Sequence, residues 1–278
     1  MKKPTLPYSI VVGALLVGTV ILIAALSLIW TPYDPLHAVP NQRLEPPTLT
    51  HWMGTDRLGR DVFSQIMVGA RITLLVGLVA VSVGVLIGVP LGILAAMRQG
   101  WTEALIMRGS DLLLAFPGLL LAIVATAIFG ATTTTTMIAI GIASVPGFAR
   151  VARAQTLSVL TRDYVAAART AKRTQWYIAR RHILPTIIGV VIVQASTAFA
   201  LAVLAEAGLS FLGLGTPPPD PSWGRMLHNA QSSLASAPLL ALWPGMAIAL
   251  TVLGFNLLGD GVRDLGDPKY RTTKTKAA

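Results

Sequence analysis

Residues 162–185 read RDYVAAARTAKRTQWYIARRHILP, and the rest of the chain is read outward from this stretch. Between Arg150 and His182 stand eight Lys or Arg (Arg150, Arg153, Arg162, Arg169, Lys172, Arg173, Arg180, Arg181) against one acid, Asp163. Apolar stretches able to cross a bilayer lie on both sides. A segment this basic cannot sit in hydrocarbon, and its charge bias places it on the cytoplasmic side. It is also too patterned for a plain turn. Asp163 is suited to cap a helix starting at Tyr164, and Thr174 to cap a second helix running toward Ile183 and stopped by Pro185, with Lys172 at the turn between them. Two capped helices exceed what topology alone requires, so the loop is expected to meet a soluble partner.

Composition agrees with a membrane protein: 54% of residues are hydrophobic and 12% charged, where a soluble domain carries about 25% charged residues. Six stretches have the apolar length needed to span: residues 9–30, 72–97, 112–130, 134–149, 186–205 and 239–258. None contains Lys, Arg, Asp or Glu. The fourth is the shortest, and Pro117, Pro146 and Pro244 are positions where spans can kink. With both termini inside, 17 of the 22 Lys and Arg fall on inner segments and 5 on outer ones, the split that the positive-inside rule requires. That orientation accounts for most of the net charge of +10, so nucleic acid is not needed as a partner. The expected fold is an all-α protein of six transmembrane helices with cytoplasmic termini. The first span is read as a retained anchor, since no convincing small-residue cleavage site precedes Trp30.

The organisation divides into an N-terminal tail and first helix (1–30), an outer loop (31–71) and a core of five spans (72–278). The core carries the basic inner loop 150–185 and a second outer loop, 206–237. In the first outer loop Val62, Phe63, Ile66, Met67 and Ala70 recur at helical spacing, which suggests an amphipathic helix lying on the membrane. The run Thr132–Thr136 reads only as a turn.

The chain lacks the signatures of chemistry. No Lys follows a Gly, so no Walker A loop exists, and Pro218 spoils Gly213-x-Gly215 as a dinucleotide fingerprint. Without Cys, and with four scattered His, no metal site is expected. The spacing of Gly84, Gly88 and Gly92 marks a face for close helix approach, either within the chain or toward a second subunit or pore. Glu206 is read as a gate or substrate contact, or as a solvated interfacial carboxylate. Gln194 and Asn256 are polar residues inside spans, read as interhelical hydrogen-bonding groups or pathway contacts. His182 is read as orienting the basic loop.

The basic stretch resembles the EAA loop of ABC importer permeases through Ala167-Ala168, Ile178 and His182-Ile183-Leu184-Pro185. Three further segments, MGTDRLGRDVFSQIMVGAR (53–71), GLSFLGLGTPPPDPSWG (208–224) and FNLLGDGVRDLGDP (255–268), are similar to the second permease subunit of dipeptide, oligopeptide and nickel importers. The resemblance covers about residues 32–268. It implies a type I ABC importer permease of the bacterial or archaeal cytoplasmic (inner) membrane, paired with a homologous permease. Two ATPase subunits would bind ATP and Mg beneath the pair, no cofactor being held by this chain, and an extracytoplasmic binding protein would deliver peptide. Nickel or another small solute is the alternative cargo. Coupling to the ATPase is implied for Asp163, Tyr164, Val165, Ala166, Ala167, Ala168, Arg169, Lys172, Ile178, His182 and Pro185, with Ala167 and Ala168 entering a cleft. The sequence departs from that family twice. Ala166 replaces a Glu that could complete a capping box, and Lys172 replaces a Gly that eases a left-handed turn. Of other classes, a secondary transporter would need ionisable groups within its spans, where only Glu206 stands at an edge. An intramembrane enzyme would need a catalytic constellation.

Overall fold

The computed structural model describes residues 8–266. Lys2, Lys3, Lys269, Arg271, Lys274 and Lys276, and Asp267-Pro268 at the end of the last motif, lie outside them. Nine helices are described: α1 (Tyr8–Leu26), α2 (Val62–Arg98), α3 (Trp101–Leu114), α4 (Gly118–Phe129), α5 (Thr133–Leu160), α6 (Asp163–Thr170), α7 (Gln175–Phe211), α8 (Trp223–Ala230) and α9 (Leu239–Gly266). Five of them are long and apolar enough to cross a membrane, and the α3–α4 pair makes up to six. Apolar side chains such as Leu15, Leu22, Leu86 and Leu201 stay exposed along these helices. Hydrocarbon imposes no cost for that, whereas water would.

The third expected span is broken. α3 and α4 meet at a bend of 83° at Ala115-Phe116-Pro117, because a residue before proline is pushed out of helical conformation. The 12 residues of α4 rise only about 18 Å, less than the hydrocarbon thickness of about 30 Å. Pro146 and Pro244 sit inside continuous helices. The fourth span is longer than read, since α5 runs on through Arg150 and Arg153. These two arginines are therefore helical rather than part of a loop, and they pair within the chain: Arg150 with Asp111 at 2.5 Å and Arg153 with Glu103. The threonine run opens α5, with Thr132 Oγ1 accepting from the Thr135 N–H at 3.1 Å.

Pro185 does not stop the helix that begins after Thr174. α7 continues through a π-helical turn, Ala179–Ile183, and α2 contains a second, Gly84–Gly88. Each ends two residues before a proline, Pro185 and Pro90. Proline lacks an N–H and its ring crowds the carbonyl four residues back. Those carbonyls, of Arg181 and Leu86, fall inside the widened turns, so the hydrogen-bond ladder shifts and the helix is kept.

The glycine row on α2 is an intrachain contact. An added Cβ at Gly88 would lie 2.6 Å from the Val145 carbonyl oxygen and 2.7 Å from Phe148 Cβ. Gly84 likewise abuts Phe148, and Gly92 abuts Ala149 and Ala152. α2 and α5 thus pack backbone to backbone. The amphipathic segment before the second span also differs from expectation. It is the start of α2, and its apolar face is covered by protein: Val62, Ile66 and Ala70 are buried in one cluster with Trp223 and Met226.

Candidate functional site

α7 joins two very different ends of the molecule. At its N-terminal end, α6 begins at Asp163, which occupies the first helical turn; Arg162 precedes it with no side-chain cap. Asp163 therefore acts on the helix dipole and is not the cap expected of it. Thr174 does cap α7, accepting from the Tyr177 N–H at 3.2 Å. Val165 and Ala168, three residues apart on one face, are buried with Ile178 and Ile183 in a single cluster. Ala168 thus faces the body and cannot enter a cleft on a partner. Tyr164, Ala166, Ala167, Arg169 and Lys172 remain exposed. His182 lies between Tyr164 and Tyr177, 5.8 Å from each ring centroid, which ties α6 to α7 through aromatic contact. Arg173 stands 5.2 Å above the Tyr177 ring, within cation–π range. Pro185 is exposed just beyond.

The α6–α7 turn is closed by two hydrogen bonds. Lys172 N–H donates to the Arg169 carbonyl at 2.9 Å and Arg173 N–H to the Ala168 carbonyl at 3.1 Å. This is the Schellman arrangement, and the residue it places in the left-handed region is Lys172, at φ 52°. The position that favours glycine thus holds a lysine in the conformation glycine would adopt. Six cations (Arg162, Arg169, Lys172, Arg173, Arg180, Arg181) are exposed here, and none forms an ion pair among the described residues.

The other end of α7 is closed on itself. Glu206 is only 1% exposed, so it is neither solvated nor open to a passing substrate. Its Oε1 accepts from Ser210 Oγ at 2.6 Å and Thr216 Oγ1 at 3.4 Å, while Oε2 has no partner among the described residues. Ser210 Oγ in turn accepts the Thr216 N–H at 3.0 Å. The loop of 212–222 is thereby folded back over the helix. Ser222 caps α8, and Trp223 Nε1 donates to the Ile66 carbonyl at 3.0 Å. Gly224 has Ala207 Cα 2.7 Å from where a Cβ would stand, so only glycine lets α8 lie this close. Sequence reading missed this closure, although Glu206 and Ser210 stand four residues apart on one helix. Gln194 is half-buried beside Gly147, and Asn256 is exposed on α9. Neither joins the Glu206 group.

Beside this closure the loop 53–61 is wound around two carboxylates. Asp56 accepts from Arg60 Nε at 2.7 Å, from the Leu58 and Arg60 N–H groups, and from Gln65 Nε2 at 3.1 Å. Asp61 caps α2, accepting from the Ser64 N–H at 2.8 Å, and meets His51 Nδ1 at 2.9 Å. A cavity of about 450 Å³ opens between this loop and α8, lined by Arg43, Arg57, Arg60 and Arg225 with Asp56 the one acid. Burial first, and then repulsion from Arg60, hold the Arg225 pKa below the usual arginine value.

The described residues form a bundle of apolar helices with an exposed basic helix pair at one end. The chain belongs to the family of binding-protein-dependent transport system inner membrane components, which matches residues 88–272; it is a multi-pass inner-membrane permease of the ABC importer type. Among its relatives, the glutathione transport system permease protein GsiD of Pectobacterium atrosepticum is 46% identical over 242 residues, covering 87% of this chain and 80% of the relative. The dipeptide transport system permease protein DppC of Alkalihalophilus pseudofirmus is 41% identical over 262 residues, covering 94% and 86%. A chain from the inward-facing MetNI methionine ABC transporter is similar in structure, with TM-score 0.60 over 72% of this chain and 95% of that one. At 19% identity, that likeness speaks to the fold alone.

Proposed function

We propose that this permease forms half of the translocation pathway of an ABC importer for short peptides, pairing with a homologous permease. The observation that carries the reading is the exposed face of α6 and the start of α7. There the structural side chains turn inward, leaving six cations, Tyr164, Ala166 and Ala167 outward. Such a face suits an acidic groove on a soluble protein, here an ATPase subunit; two such subunits would hold ATP and Mg, and this chain would bind no cofactor. An extracytoplasmic binding protein would present the cargo at the Trp223 end. Peptide is favoured over nickel because the relatives above are named for glutathione and dipeptide transport, and both cargoes are short peptides. The charge split supports an orientation with the basic end and both termini inside.

The test is reconstitution. The chain alone should hydrolyse no ATP; with its partner permease, ATPases and binding protein it should take up labelled dipeptide or glutathione only when ATP is supplied. Uptake driven by an ion gradient in liposomes holding this chain alone would overturn the reading. A cysteine at Lys172 should be shielded from an impermeant thiol reagent in intact cells, whereas one at the exposed Asp220 should label. The opposite pattern would invert the topology.

A further inference from the structure

The arginine-lined cavity at the Trp223 end has its own chemistry. Asp56, its one carboxylate, is already engaged by Arg60, Gln65 and two backbone N–H groups. Arg57 Nη1 donates to Ser232 Oγ at 2.5 Å and so tethers the first outer loop to the second. Arg225 has only a long bond to the Thr216 carbonyl, 3.4 Å, and no carboxylate partner among the described residues. Asn229, one turn further along α8, lines the same wall. Arg60 and Arg225 line the same cavity with Arg43 and Arg57, so four cations share one carboxylate, which Arg60 already engages. Guanidinium groups held together like this are stabilised when an anion enters, and the planar fork of arginine matches a carboxylate in two parallel hydrogen bonds.

We propose that this cavity is a socket for an acidic side chain of the extracytoplasmic binding protein, received by Arg225 with Asn229 and Arg57 beside it. The proposal rests on the importer reading above. Three features favour a protein carboxylate as the occupant. The positive walls come from the 31–61 loop and α8, segments outside the long apolar helices. They lie at the end of α7 opposite the basic surface. The family depends on a binding protein, and the cavity offers that partner charge of opposite sign. Docking would then also engage the Arg57–Ser232 tether.

The experiment uses the complete transporter in nanodiscs and its own purified binding protein, with affinity measured across a salt series. Arg225→Gln should weaken association about 10- to 100-fold, the loss expected of a charge-assisted hydrogen bond, and should flatten the salt dependence. Arg225→Lys should recover part of the affinity, keeping the charge without the fork. Asn229→Asp leaves Arg225 in place and adds a competing carboxylate at the wall, so it should weaken association as well, even if Arg225→Gln fails to assemble. Wild-type affinity and salt slope in an assembled Arg225→Gln or Asn229→Asp transporter would overturn the socket. So would binding of inorganic phosphate or phosphatidylglycerol that Arg225→Gln abolishes while binding-protein affinity is unchanged; that result would assign the cavity to a free anion or a lipid. Failure of the wild-type transporter to bind its binding protein at all would instead refute the importer reading, and the socket with it.

Discussion

The two ends of α7 contrast in how their polar groups are satisfied. At the Trp223 end, Glu206, Ser210, Thr216, Ser222 and Trp223 find partners within the chain, and Gly224 lets a short helix seal the group from outside. At the basic end, backbone groups, the Thr174 cap and the buried faces of α6 and α7 are satisfied internally, but the cations form no ion pair among the described residues, and Trp176 is 74% exposed. Glu206 Oε1 and its neighbours are closed within the chain, whereas the charges at the basic end face outward. Damage to the Glu206–Trp223 closure should therefore register as lost stability, and damage to the exposed face of the basic end as lost association.

Substitutions can break or sharpen that contrast. The largest effect is expected from Gly224→Val. Its side chain would collide with the Ala207 backbone, which cannot rotate away, at about 3 kcal/mol or more. Thermal unfolding in detergent should show a large fall in melting temperature, and an unchanged melting curve would mean that α8 is not tightly seated. Next come paired substitutions on α6. Ala168→Trp should destabilise the chain itself by about 1–3 kcal/mol, because Ala168 is buried. Ala167→Trp should leave the melting temperature alone while the ATPase co-purifies poorly. Equal behaviour of the two would erase the distinction between the faces of α6.

A comparable or smaller loss is expected for Ser210→Ala. It strands the Thr216 N–H and removes one of Glu206's hydrogen bonds, at about 1–3 kcal/mol, again read by melting temperature. Unaltered stability there would show that the loop is held by Trp223 rather than by the carboxyl group. The smallest effect is expected from Lys172→Gly. The left-handed φ of Lys172 costs a residue with a Cβ about 1–2 kcal/mol, so Lys172→Gly should raise the melting temperature slightly. The same change should reduce the salt sensitivity of ATPase association. Lys172→Pro should disrupt the turn, since φ near −65° is incompatible with it.

Long apolar runs and the uneven placement of arginine made the helices legible in the sequence, because lipid acts on length and charge alone. Thr174 as a cap was legible for a similar reason, being a local property of a few adjacent residues, whereas the left-handed turn at Lys172 was implied only by the family resemblance. What escaped depends on partners far along the chain. Glu206 looks like an edge carboxylate until Thr216 and α8 fold over it. Arg150 and Arg153 look like loop charges until α3 brings Asp111 and Glu103 alongside. The inward turn of Ala168 was within reach, since Val165 and Ala168 share a helical face, but an alanine pair carries little periodic signal. The π turn at Ala179–Ile183 escaped because Pro185 announces a stop locally, while the helix in fact continues through it.

Beyond its π turn, α7 runs unbroken from Leu184 to Phe211, 28 residues or about 42 Å of rise. It is in effect a lever with the basic surface at its short end. A tilt of about 5° imposed there would carry the far end sideways by about 4 Å over that rise. The Trp223–Ile66 hydrogen bond spans 3.0 Å and joins two separate helices. Gly224 seats α8 against Ala207 of α7, so a displacement of that size that carries α8 along breaks that hydrogen bond unless α2 moves as well, and a tilt of α7 then calls for motion of a three-helix unit.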